Sequence, residues 1–84
     1  MADVTIYTRS WCSFCNRAKG LLESKGVEFN EIDIEEQPEM REKMIQLTGR
    51  TSVPQIFINQ QAIGGCDDLF ALHTSDKLNG LLAE

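Results

Sequence analysis

Trp11-Cys12-Ser13-Phe14-Cys15 places two thiols three residues apart, between the strand-like run Val4-Thr5-Ile6-Tyr7-Thr8 and a stretch with helical spacing of apolar residues. Two cysteines so spaced serve either redox chemistry or metal binding, and beside a βαβ pattern the redox reading is favoured. On a helix, positions i and i+3 share a face, at a Cα separation of about 5 to 6 Å that a disulfide can bridge. Downstream, Phe14, Ala18, Leu21 and Leu22 fall at helical intervals, and Gly26 supplies a C-terminal stop. Cys12 therefore stands at the N-terminal edge of a helix that follows a strand.

The pattern continues outward. Val27-Glu28-Phe29-Asn30-Glu31-Ile32-Asp33-Ile34 mixes apolar and polar residues as a half-buried strand does. A turn follows at Glu35-Glu36-Gln37. Pro38 suits a first helical position, and Met40, Met44 and Leu47 predict an apolar stripe running to Gly49. After Thr51-Ser52-Val53-Pro54 comes a short strand, Gln55-Ile56-Phe57-Ile58, then a turn at Asn59-Gln60-Gln61 and a returning strand at Ala62-Ile63. Past the Gly64-Gly65 corner, Asp67 or Asp68 is expected to cap a helix through Leu72, with a further helical turn or two within Ser75–Ala83. The order βαβαββα predicts an α/β fold, a four-stranded mixed sheet flanked by helices.

Composition narrows the function. The chain has 84 residues and a net charge of −5, a balance that repels nucleic acid and anionic membranes. No apolar run approaches a membrane span, and the first residues carry no visible secretory signal, so a reducing cytoplasmic setting is expected. There three cysteines point to catalysis or metal rather than to a disulfide framework.

A thiol attacks as thiolate, so it needs help to ionise below its free value of about 8.5. A helix start, with its unpaired N–H groups, favours a negative sulfur on Cys12, and Arg9 adds a cation nearby. Cys15, one turn deeper, lacks that advantage. Cys12 is thus read as nucleophile and Cys15 as resolving thiol. Zinc would require two further ligands, and Cys66 and His73 are spaced more widely than the usual second pair. No metal site is expected, and His73 reads as a solvated residue near a helix end.

The thiol pair after the first strand, Thr51-Ser52-Val53-Pro54 and Gly64-Gly65-Cys66-Asp67-Asp68 together resemble the glutaredoxin family across almost the whole chain. The resemblance implies one domain over residues 1–84, with a thioredoxin-like (glutaredoxin) fold and a groove for glutathione. Pro54 matches a cis-proline. Ser52 and Val53 lie in the same loop, with Val53 matching the residue that pairs its main chain with the cysteinyl part of glutathione. Gly65, Cys66 and Asp67 match the positions that hold the γ-glutamyl end. Arg9 matches the basic residue that meets the glycyl carboxylate, Arg41 falls where the family's second helix contributes a polar partner there, and Phe14 takes a position usually held by tyrosine. The Cys66 side chain itself is read as a bystander.

The implied activity is that of a glutathione-dependent thiol–disulfide oxidoreductase, a monomer acting on protein disulfides and glutathione mixed disulfides. Family potentials of about −200 to −230 mV suit reduction by the glutathione pool. Two departures stand out. Trp11 and Ser13 replace the family's common Thr and Pro around the first cysteine. Relatives with a small residue in place of that proline include carriers of a glutathione-ligated [2Fe–2S] cluster bridging two subunits, which makes this an alternative. Trp11 raises another, an electron donor fed by thioredoxin reductase.

Overall fold

The computed structural model describes residues 2–83. Strand β1 (Val4–Thr8) leads into helix α1 (Ser13–Ser24), and strand β2 (Asn30–Asp33) into helix α2 (Pro38–Thr48). Strands β3 (Gln55–Ile58) and β4 (Gln61–Gly64) follow, then helices α3 (Cys66–Thr74) and α4 (Leu78–Leu82). The sheet order is β2-β1-β3-β4, with β1 parallel to β2 and antiparallel to β3, and β3 antiparallel to β4. This is the expected four-stranded mixed sheet, extended by a short final helix after the turn at residues 75–77. Among the described residues no helix is long and apolar enough to cross a membrane.

Alternation along the strands sorts the side chains onto two faces. Val4, Ile6, Ile56 and Ile58 meet Ala18, Leu21 and Leu22 of α1 and Leu69 of α3 in the larger core. Tyr7 faces the other way, toward Ile34 and Met44. Full burial of side chains such as Leu22 and Leu69 stabilises by about 1.5–3 kcal/mol each, so α1 and α3 are held firmly on one face.

Several sequence expectations shift. The Val27–Ile34 run is not one strand, because its apolar positions change phase, from 27 and 29 to 32 and 34. Val27 and Phe29 consequently pack on the α1 side, whereas Ile32 and Ile34 join the α2 side. Asn30 is the first residue in register with β1, opposite Thr5. On α1 the buried stripe begins at Cys15 rather than Phe14, and on α2 Leu47 stays 54 % exposed while Ile45 packs inward.

The hairpin turns on two residues, Asn59 and Gln60, both at positive φ, the conformation that matches strand twist in a tight hairpin. An irregularity in register between Ile56 and Phe57 leaves Ile63 as an extra residue in β4. Neither Asp67 nor Asp68 is the N-cap of α3. That position belongs to Gly65, and the helix runs on to Thr74.

Candidate active site

Cys12 is the N-cap of α1, with extended backbone, and the N–H of Cys15 donates to its sulfur at 3.1 Å. The two cysteines are disulfide-linked, with Cα atoms 5.2 Å apart. Cys15 is 1 % exposed and Cys12 9 %. Trp11 enters the turn at φ 60, a left-handed conformation uncommon for a bulky residue, and its side chain is fully exposed.

A polar cluster steadies the exit from β1. The buried Thr8 hydroxyl donates to Glu31 at 2.8 Å, and Lys19 of α1 donates to the same carboxylate oxygen at 2.9 Å. The Lys19 hydrogen bond holds the Glu31 carboxyl below its ordinary range, against the opposing effect of burial.

Facing the thiols, the Val53–Pro54 peptide is cis, and the Val53 carbonyl oxygen lies 3.9 Å from Cys12 Sγ. Buried Gln55 ties down this loop, its Nε2 donating to the Ser52 carbonyl at 3.0 Å and to the Ser52 hydroxyl at 3.4 Å. Beside the loop runs a groove of about 260 Å³. Seven expected binding residues line it, namely Phe14, Ser52, Val53, Pro54, Gly65, Cys66 and Asp67. Arg9, exposed after β1, and Arg41, exposed on α2, lie outside that lining. A larger cavity of about 550 Å³, between Lys25–Asn30 and α4, includes neither thiol.

Arg50, Gln55 and Asp68, outside the set of binding residues expected from sequence, also line the groove. Asp68 Oδ2 accepts the Gly65 N–H at 2.9 Å and faces Arg50 Nη1 at 3.3 Å. The signal for Asp68 was its place three residues after the N-cap, where a carboxylate reaches back to the helix start. Gly64, at φ 116, leaves room for that carboxylate, because a Cβ there would collide with it.

Cys66 is 5 % exposed, and burial pushes its thiol up from its ordinary value while Arg17 pulls the other way. Arg17 also lies over the Phe70 ring at 5.3 Å. His73, expected to be solvated, is half-buried with its ring edge-on to Phe70. Among the described residues no three His, Cys, Asp or Glu side chains gather to hold a metal.

A disulfide at the first turn of a helix, with the Val53–Pro54 loop beside it and a four-stranded mixed sheet beneath, is the arrangement of a thiol–disulfide oxidoreductase of thioredoxin-like fold. The comparisons specify the family. The Glutaredoxin family model matches residues 4–63. Glutaredoxin 3 of Escherichia coli K12 is 56 % identical over 82 residues, covering 98 % of this chain and 99 % of the relative. The solution structure of glutaredoxin from Brucella melitensis is 55 % identical, with a TM-score of 0.85 over 98 % of this chain and 89 % of that one. A buckwheat glutaredoxin–glutathione complex is 27 % identical, with a TM-score of 0.90 over 98 % and 77 %. The chain belongs to the glutaredoxin family.

Proposed function

We propose that this chain reduces glutathione mixed disulfides and protein disulfides at the expense of glutathione. The carrying observation is the placement of Cys12 Sγ 3.9 Å from the Val53 carbonyl, beside the groove. In reduced protein the Cys12 thiolate attacks the glutathionyl sulfur of a mixed disulfide. A Cys12–glutathione disulfide forms, the substrate's S–S bond breaks, and the electron pair leaves on the substrate thiolate, which takes a proton from water. A second glutathione thiolate attacks the glutathione sulfur on Cys12. Glutathione disulfide departs, and Cys12 regains its thiolate.

With a protein disulfide, Cys12 first forms a mixed disulfide with the substrate and Cys15 attacks the Cys12 sulfur. The substrate leaves as a dithiol and the Cys12–Cys15 disulfide remains, to be reduced by two glutathione molecules.

The helix start and the Cys15 N–H stabilise the Cys12 thiolate. Val53 offers main-chain groups to the cysteinyl part of glutathione, Phe14 an aromatic wall, and Gly65, Cys66 and Asp67 the seat of the γ-glutamyl end. Arg9 and Arg41 serve the glycyl carboxylate from outside the groove. The bound glutathione of the buckwheat relative supports this reading. Supplying glutathione with glutathione reductase, or thioredoxin reductase, as the sole source of electrons tests it. Turnover of a glutathionylated peptide is expected with the first and not the second, and the reverse would contradict it.

Ser13, exposed at the first position of α1, favours a second reading, a glutathione-ligated [2Fe–2S] cluster bridging two copies. Anaerobic reconstitution with iron, sulfide and glutathione should then give visible absorption and a dimer. A colourless monomer excludes it.

A further inference from the structure

Arg50 is the one cationic side chain among the described residues that line the groove. Its backbone is fixed. Gly49 ends α2 at φ 71, a conformation glycine adopts without strain, and its N–H donates to the Ile45 carbonyl at 2.7 Å. Thr48 Oγ1 donates to the Met44 carbonyl at 2.8 Å and accepts the Arg50 N–H at 3.0 Å. The chain therefore leaves the helix on a defined course, with Arg50 at the rim of the groove.

Its side chain is less firmly held. One nitrogen meets Asp68 Oδ2 at 3.3 Å, and the two side chains are 55 % and 48 % exposed. An exposed pair of this kind is weak, and a guanidinium carries five N–H donors in a fork suited to a carboxylate. The same Asp68 oxygen already accepts the Gly65 N–H, so Asp68 stays anchored if Arg50 turns away.

The charge balance around the groove indicates what Arg50 would turn toward. Asp67 and Asp68 line the same cavity, so a purely anionic group there would face two carboxylates. A group bearing both an ammonium and a carboxylate satisfies all three side chains, its ammonium beside the aspartates and its carboxylate on the guanidinium. The γ-glutamyl end of glutathione carries that pair of charges.

We propose that Arg50 is a specificity-determining residue of this groove, leaving Asp68 to bind the α-carboxylate of the substrate's γ-glutamyl group. The inference rests on the glutathione reading above and adds a residue and a charge preference to it. Two mixed disulfides of one peptide separate the two claims, one made with glutathione and the other with an analogue whose γ-glutamyl α-carboxylate is a carboxamide. Each is reduced by glutathione with glutathione reductase.

Wild-type protein should favour the carboxylate form by about tenfold in kcat/KM, the worth of one charge-assisted hydrogen bond. Arg50→Ala should bring that ratio to about one through KM, while Arg50→Lys keeps part of it. A merely structural role would lower both substrates alike. Arg50 is overturned on its own if active wild-type protein shows no preference, if the preference survives in Arg50→Ala, or if both substrates weaken equally. Wild-type protein that turns over neither disulfide overturns the glutathione reading and the Arg50 assignment with it.

Discussion

The backbone N–H of Cys15 donates to the sulfur of Cys12 at 3.1 Å, so the second cysteine serves the first through its main chain as well as through its thiol. Substituting the Cys15 side chain leaves that donor in place. Ser13 occupies the first position of α1, where proline costs no helical hydrogen bond. In a Cys15→Ser background, Ser13→Pro should therefore preserve the fold and move the pH midpoint of Cys12 alkylation little. A large displacement would show that Ser13 itself tunes the thiol.

Gly64 and Asp68 are packed so closely that a side chain at residue 64 has no room, and φ 116 disfavours any L residue there. Gly64→Ala should cost about 1–3 kcal/mol in urea unfolding and weaken substrate binding by displacing the Asp68 carboxylate. Unchanged stability together with an unchanged KM would contradict this packing.

Glu31 links β2 to Thr8 of β1 and Lys19 of α1. Its carboxyl titrates lower in the folded protein than its ordinary value of 4.5, so its contribution is complete above that pH and is lost as pH falls through the folded value. The carboxylate is 39 % exposed, so the effect is small. Glu31→Gln should lower stability modestly at pH 7 and flatten its dependence on pH below 4.5, as measured by thermal unfolding across pH.

Cys66 is buried and its thiol is held above its ordinary value, chiefly by desolvation. With Cys12 and Cys15 reduced at pH 7, iodoacetamide should modify Cys12 well before Cys66, as resolved by peptide mass spectrometry. Faster labelling of Cys66 would mean that the start of α3 opens in solution.

The legible parts of the fold were those where one local signal acts alone. Val4–Thr8 and Gln55–Ile58 hold enough branched and aromatic residues to read as strands, and Pro38 and Gly49 bracket α2 as their backbone preferences require. The thiol spacing likewise located the reactive turn. Tertiary context decided the rest. The phase change between Phe29 and Ile32 is visible in sequence, but its meaning depends on cores lying on both faces of the sheet. Phe14 and Cys15 compete for one helical stripe, and the folded chain buries the smaller residue, 1 % exposed, while Phe14 stays 52 % exposed and lines the groove. Arg50 and Asp68 lie 18 residues apart and meet only when the end of α2 comes beside α3.

Whether Cys12 exchanges disulfides with glutathione while Cys15 resolves is decided by turnover of a glutathionylated peptide by the two single variants in the glutathione reductase-coupled assay. Cys12→Ser should be inactive, and Cys15→Ser should retain turnover because it keeps both the nucleophile and the main-chain donor. An active Cys12→Ser with an inactive Cys15→Ser would contradict the account.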